Sequence, residues 1–104
     1  MNEKIEAKIN LPYSEIRAFC QRQPIRKLSL FGSVLRDDFG PDSDIDMLVE
    51  YEPGARIGYF EVIAMQDELT DITGRHVDLR TPQELSQYFR NHVLDAAVLL
   101  YERN

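Results

Sequence analysis

The pattern of hydrophobic and polar positions along the chain changes its period several times, and each period predicts a different kind of element. Apolar residues that recur every three or four positions predict a helix, whereas apolar residues that alternate with polar ones predict a strand. The first helical pattern opens at Pro12 and Ser14 and ends at Pro24. Its apolar face consists of Ile16, Phe19 and Cys20. We therefore expect Cys20 to be a small core residue rather than a reactive thiol.

Three segments alternate closely enough to predict strands. They are residues 26–31, 44–51 and 76–80. The segment 33–39 lies between the first two strands and predicts a short helical turn.

The remaining segments predict helices. Residues 58–73 have apolar positions spaced for one buried side, and Gly74 is well placed to end that helix. Residues 81–84 resemble a capped helix start with proline at the first helical position. A last helix is predicted for residues 90–102. Its apolar side consists of Val93, Leu94, Ala97, Leu100 and Tyr101.

Strands that alternate with helices predict an α/β or α+β fold. We expect a small mixed sheet of three to four strands with helices packed on it. The length of 104 residues suits one domain, and no linker or repeat divides the chain. Residues 1–104 are therefore predicted to form a single domain.

Composition and charge narrow the possible functions. No apolar stretch reaches the length of a membrane span, and residues 1–10 carry charges where a signal peptide would be apolar. A single cysteine cannot form an internal disulfide, so the sequence predicts a cytoplasmic protein with no membrane contact. The net charge of −6 argues against direct nucleic-acid binding, which usually requires a basic face.

Two acidic residues stand at alternate positions where the second predicted strand begins. Asp44 and Asp46 share one face of that strand, and Ile45 between them turns into the core. Two neighbouring carboxylates repel each other, and a divalent cation removes that cost. Mg²⁺ prefers carboxylate, phosphate and water oxygens as ligands. The pair therefore indicates a magnesium site, and the alternative is a solvated acidic loop.

A Gly-Ser pair upstream strengthens the metal interpretation. Gly32 and Ser33 follow the first predicted strand and open a helical turn. Backbone N–H groups at such a turn suit a phosphate anion, and glycine allows the phosphate to approach closely. Taken alone, the pair is an ordinary turn. Together with Asp44 and Asp46, it predicts a site for a phosphate-bearing substrate and its metal.

A third carboxylate lies in the third predicted strand. Alternation puts His76, Asp78 and Arg80 on one face of that strand. If the strand lies beside that of Asp46, Asp78 completes a three-carboxylate site for two metal ions, which can stabilise both the attacking and the departing oxygens of a displacement. The alternative is an exposed aspartate on an edge strand.

These motifs resemble the DNA-polymerase-beta-like nucleotidyltransferase superfamily. Specifically, the chain resembles the small stand-alone branch of that superfamily, the minimal nucleotidyltransferases (MNT), which are antitoxin partners of HEPN-domain ribonuclease toxins. The resemblance covers nearly the whole chain. It is carried by Phe31-Gly32-Ser33, Arg36, the run from Pro41 to Asp46, Asp78 and the closing VLDAAVLLYE. Many relatives have glycine where this chain has Asp37.

The resemblance implies a mechanism. Asp44 and Asp46 would bind Mg²⁺ carrying the triphosphate of ATP, while Gly32 and Ser33 would hold its β- and γ-phosphates. Asp78 would bind the catalytic metal and help to deprotonate the attacking hydroxyl. In relatives the acceptor is a tyrosine of the HEPN toxin, which receives AMP and is silenced. The implied partner is therefore a HEPN-domain RNase.

The role of Arg36 stays open between two interpretations. The side chain could add a contact to the phosphates, or it could form a surface ion pair with Asp37 or Asp38.

Two other functions remain as alternatives. A binding antitoxin would neutralise its toxin by contact alone and would not need clustered carboxylates. A transferase acting on a small molecule would need an acceptor pocket, for which a chain of 104 residues has little room.

Overall fold

Three helices and four strands form the part of the chain that the computed structural model describes, residues 11–35, 40 and 42–103. The helices are α1 (Tyr13–Arg22), α2 (Tyr59–Thr73) and α3 (Arg90–Ala96). The strands are β1 (Ile25–Phe31), β2 (Ile45–Tyr51), β3 (Val77–Arg80) and β4 (Val98–Glu102). Two short 3₁₀ turns, Gly32–Leu35 and Pro82–Glu84, follow β1 and β3.

The four strands form one mixed sheet in the order β3-β2-β1-β4. Strand β1 is antiparallel to both β2 and β4, and β2 is parallel to β3. Parallel neighbours need a crossover connection, which α2 provides between β2 and β3. The predicted α+β class is confirmed.

One face of the sheet packs on α1 and α2 and forms the core. Helix α1 lies against β1 and β4, and α2 lies against β3. Strand residues that point to these helices are fully buried, among them Leu28, Leu30, Ile45, Met47 and Val77. The alternation that buries these residues sends the side chains between them to the opposite face of the sheet.

The periodic segments fold as predicted in most places. Helix α1 buries its apolar face, and Cys20 is a buried free thiol whose pKa is raised to about 12 because burial disfavours the thiolate. Helix α2 ends at Thr73 and is capped by Gly74, which has a left-handed φ of 77° and donates its N–H to the carbonyl of Thr70 at 2.8 Å. The first three predicted strands correspond to β1, β2 and β3.

The prediction of one last helix over residues 90–102 is wrong. Helix α3 ends at Ala96, and β4 continues as an antiparallel partner of β1, with Val98 opposite Leu30 and Tyr101 opposite Leu28. Without β4, the backbone groups along that edge of the central strand β1 would lack this partner. The predicted apolar side is therefore divided between α3 and β4.

Two predicted turns need smaller corrections. The expected helix start at residues 81–84 forms only the 3₁₀ turn Pro82–Glu84. The helical turn expected over residues 33–39 is seen as the 3₁₀ turn Gly32–Leu35, and its remainder, 36–39, lies outside the described residues. Among the helices of the described residues, none is long and apolar enough to cross a membrane.

The side chain of Arg103 fixes the end of β4 to the end of α1. Its Nη2 atom donates to the carbonyl oxygens of Cys20 at 2.9 Å and Gln23 at 3.1 Å. Its Nε atom donates to the hydroxyl of Tyr101 at 3.1 Å. The last carbonyl groups of a helix have no hydrogen-bond partner within the helix. Arg103 therefore supplies donors to carbonyl groups at the end of α1.

We expect the substitution Phe19→Ala to lower the free energy of unfolding by about 3–5 kcal/mol, because it removes a fully buried ring and leaves a cavity in the core. Urea denaturation followed by circular dichroism measures the change. Arg17→Ala on the exposed side of the same helix is the control and should change the value by no more than about 0.5 kcal/mol. Equal effects of the two substitutions would contradict this packing of α1.

Candidate functional site

Asp46 and Asp78 lie opposite each other on neighbouring strands. The parallel pairing of β2 with β3 aligns these two residues. Their chain neighbours, among them Ile45 and Val77, are buried in the core, so both carboxylates point to the opposite face of the sheet. The strand of Asp78 thus lies beside the strand of Asp46, which was the condition for a three-carboxylate site.

Asp44 lies directly before β2, at the edge of the sheet where β2 and β3 begin. Its side chain is 57% exposed, and its Oδ2 atom is 3.4 Å from Nδ1 of His76. The backbone N–H of Ile45 donates to the carbonyl of His76 at 2.9 Å. The segments that enter the two strands are therefore held together at the position of Asp44.

The turn Gly32–Leu35 lies against the carboxylates. Phe31, the last residue of β1, pairs with Asp46, and Gly32 follows with a positive φ of 76°. A Cβ atom at Gly32 would lie 2.5 Å from Oδ2 of Asp46, so only glycine leaves room for that carboxylate. Ser33 donates its hydroxyl to the carbonyl of Asp44 at 3.3 Å. The structure thus brings together four of the predicted site residues, Gly32, Ser33, Asp44 and Asp46.

Asp78 has a cationic partner on its own strand. Oδ2 of Asp78 accepts hydrogen bonds from Nη2 of Arg80 at 3.1 Å and from Nε at 3.3 Å. The Nη1 atom of Arg80 also lies 3.6 Å from Oε2 of Glu84. The guanidinium therefore bridges two carboxylates.

The three carboxylates are chemically suited to binding a divalent metal ion. Asp44, Asp46 and Asp78 supply oxygen donors from one face of the sheet, and oxygen is the ligand that Mg²⁺ prefers. Within the described ranges, no three side chains of His, Cys, Asp or Glu lie close enough together to bind one metal ion in their present conformations. Asp44 instead contacts His76, and Asp78 contacts Arg80. The roles of the three carboxylates as metal ligands stay predictions.

The loop that leads to Asp44 depends on Arg75, which the sequence analysis did not single out. The Nη2 atom of Arg75 donates to the carbonyl of Ser43 at 2.8 Å and also to that of Gly40. The hydroxyl of Ser43 accepts a hydrogen bond from the N–H of Gly40 at 3.0 Å. The position of Arg75 follows from the parallel pairing of β2 with β3, which places the residue before β3 near the start of β2. Arg36, the remaining predicted site residue, lies outside the described residues.

A pocket of about 260 Å³ borders the Gly-Ser turn on the side away from β2 and β3. Its walls come from β1 with the following turn and from α3. They consist of Phe31, Gly32, Leu35, His92, Val93 and Ala96. The largely apolar lining suits an aromatic ring better than a phosphate. Only the tertiary position of α3 reveals this pocket, because α3 and the turn are more than 50 residues apart in sequence.

Residues 14–100 match the sequence profile of the nucleotidyltransferase domain. The chain belongs to this family. Its Gly-Ser turn and aspartates therefore lie in a nucleotidyltransferase fold, as the resemblance in sequence indicated.

Two relatives are described as protein adenylyltransferases. A protein of Methanocaldococcus jannaschii is 30% identical over 74 residues, which cover 71% of this chain and 77% of the relative. Protein adenylyltransferase MntA of Thermococcus cleftensis is 30% identical over 96 residues, which cover 92% of each chain. The predicted resemblance to minimal nucleotidyltransferases is confirmed.

Solved structures share the fold. A toxin–antitoxin complex with AMP-PNP has a TM-score of 0.72 at 19% identity, covering 90% of this chain and 76% of the other. A minimal nucleotidyltransferase structure has a TM-score of 0.68 at 28% identity, covering 83% and 86%. A tri-AMPylated Shewanella oneidensis HEPN toxin in complex with MNT antitoxin has a TM-score of 0.63 at 17% identity, covering 88% and 70%.

We expect Gly32→Ala to lower kcat/KM for nucleotidyl transfer by about 100-fold, because the added methyl group collides with the Asp46 carboxylate and displaces it. Steady-state kinetics measures the loss. Gly54→Ala is the matched control, since Gly54 also has a positive φ of 84° but open space around the position of its Cβ. The Gly54→Ala variant introduces the same backbone strain without a collision, so its activity should stay within about twofold of that of the unchanged protein. Equal losses in both variants would show that strain, not the contact with Asp46, is responsible.

Proposed function

We propose that this protein transfers AMP from ATP to a tyrosine of a cognate HEPN-domain RNase toxin and thereby acts as its antitoxin. One observation carries the proposal. The Gly32–Ser33 turn touches Asp46, and Asp46 lies opposite Asp78 on the next strand. A phosphate cradle next to paired carboxylates is what phosphoryl-group transfer requires, and relatives described as protein adenylyltransferases match most of the chain.

The reaction forms one bond at the α-phosphorus of ATP and breaks another. The tyrosine oxygen attacks this phosphorus, and the bond to the β,γ-pyrophosphate breaks, so that the products are AMP-tyrosine and pyrophosphate. Gly32 and Ser33 hold the β- and γ-phosphates through the backbone and the hydroxyl. Asp78 accepts the proton of the attacking hydroxyl. Asp44, Asp46 and Asp78 would hold Mg²⁺, which would neutralise the charge of the phosphates.

The open surroundings of the site favour a protein as the acceptor. The side chains of Asp44 and Asp78 are 57% and 30% exposed, so a tyrosine on the surface of another protein can reach them. Large hydrophobic residues are also exposed on the described surface. They are Tyr59, Phe60, Tyr88, Phe89, Leu94 and Leu99. Four of these six fall within residues 88–99, in or beside α3, which lines the pocket next to Gly32.

A binding antitoxin that works by contact alone is the second candidate, and these exposed hydrophobic residues are the observation that favours it. It differs from the enzyme in one respect that can be measured. Contact alone requires no carboxylates near Gly32, so their removal would leave neutralisation intact.

The proposed reaction is tested with a cognate HEPN-domain RNase as the acceptor protein. We expect incubation with ATP and MgCl₂ to raise the intact mass of that protein by one or more AMP units on tyrosine, and EDTA to abolish the change. An unchanged mass at saturating ATP would contradict the proposal.

Paired variants separate the enzyme from the binding antitoxin. The double variant Asp44→Asn with Asp46→Asn should lose transfer and protection of cells together. Asp67→Asn with Asp71→Asn removes the same charge from exposed positions of α2 and should keep both. Protection by the Asp44–Asp46 double variant would support neutralisation by contact.

A further inference from the structure

Arg80 occupies a position between one carboxylate of the candidate site and one carboxylate outside it. On one side, two of its nitrogen atoms lie 3.1 and 3.3 Å from Oδ2 of Asp78. On the other side, its Nη1 atom lies 3.6 Å from Oε2 of Glu84. The side chains of all three residues are 30–50% exposed, so each can change its rotamer without disturbing the core.

The carboxylate of Glu84 is positioned by Thr81 so that one of its oxygens can accept from Arg80. Its Oε1 atom is engaged by Thr81, whose backbone N–H lies at 3.4 Å and whose hydroxyl lies at 3.3 Å. This capping arrangement of the turn Pro82–Glu84 leaves Oε2 as the oxygen that faces Arg80. A guanidinium has five N–H donors in a planar fork, so it can move from one carboxylate to the other without losing an anionic partner.

We propose that Arg80 is a positioning residue that competes with the metal ion for Asp78. It binds the Asp78 carboxylate in the metal-free protein and passes to Glu84 when Asp78 turns to the ion. The inference rests on the proposed function in one respect, which is that Asp78 is a metal ligand.

The repulsion between two carboxylates is the reason for Arg80 to exchange between Asp78 and Glu84. Like charges directly opposite each other on neighbouring strands destabilise a sheet, and Asp46 faces Asp78 in this way. Arg80 lowers this repulsion while no cation is bound. A guanidinium that stayed on Oδ2 would oppose the binding of a divalent ion to the same carboxylate, so departure of Arg80 from Asp78 would favour the ion.

The arrangement of the carboxylates agrees with this exchange. Among the described residues, no three side chains with metal-binding atoms converge on one position. Asp78 is instead directed to Arg80. Departure of Arg80 is the step that would free Oδ2 to join Asp46 at the ion.

Binding of Mn²⁺ to the full chain without nucleotide tests the proposal, with free Mn²⁺ measured by electron paramagnetic resonance. We expect Arg80→Gln to bind Mn²⁺ about two- to fivefold more tightly, which is the range for an exposed ion pair. Arg80→Lys should fall between this variant and the unchanged protein. Glu84→Gln should bind more weakly, because the guanidinium loses its second acceptor.

Two controls isolate the contact with Asp78. Arg22→Gln removes the same charge from the exposed pair Arg22–Glu68, which joins α1 to α2 outside the site, and should leave Mn²⁺ binding unchanged. In an Asp78→Asn background, Arg80→Gln should alter the affinity no more than Arg22→Gln does.

Three results would overturn the proposal. They are unchanged or weaker binding by Arg80→Gln, an equal effect of Arg80→Gln in the Asp78→Asn background, and no measurable Mn²⁺ binding at all. Failure of the proposed function gives a different result, because loss of AMP transfer to the HEPN protein leaves these Mn²⁺ affinities as predicted.

Discussion

The repulsion between carboxylates on neighbouring strands is the constraint around which the site is built. Asp46 and Asp78 are opposite each other because β2 and β3 pair in parallel with this register. The register is fixed by the apolar residues between them, since a shift by one position would bury the acids and expose Ile45 and Val77. The hydrophobic core therefore holds two like charges together, at a position where a divalent cation would relieve the cost.

Each of the three carboxylates has a close contact with a neighbouring residue. Arg80 supplies a positive charge to Asp78, and His76 lies within 3.4 Å of Asp44. Gly32 leaves the space that Asp46 occupies. His76 and Gly32 come from the edge of the sheet where β1 ends and where β2 and β3 begin, whereas Arg80 is the last residue of β3. A small sheet can thus gather the candidate site residues on one face while its other face forms the core.

Local periodicity was sufficient to predict α1, α2 and the first three strands, because each has a regular pattern bounded by a proline, a glycine or a change of period. The error lies in residues 98–102. The short apolar run VLLYE fits either a buried helix or a buried strand, and only the open edge of β1 decides between them. Alternation predicted correctly which face of the strand carries Asp78. That Asp78 lies opposite Asp46 follows only from the pairing of β2 with β3 in the sheet. The anchoring of the loop by Arg75 and the pocket beside Gly32 depend on contacts between distant segments, which a local pattern does not contain.

The contact of Arg103 with the carbonyl of Cys20 joins residues that are 83 positions apart. Strand β1, in the middle of the sheet, gains its second neighbour only from residues 98–102. Closure of such a long loop costs entropy before any contact repays it, which slows the pairing of β1 with β4. During synthesis on the ribosome, the sheet that supports the site is complete only after residues 98–103 have left the exit tunnel.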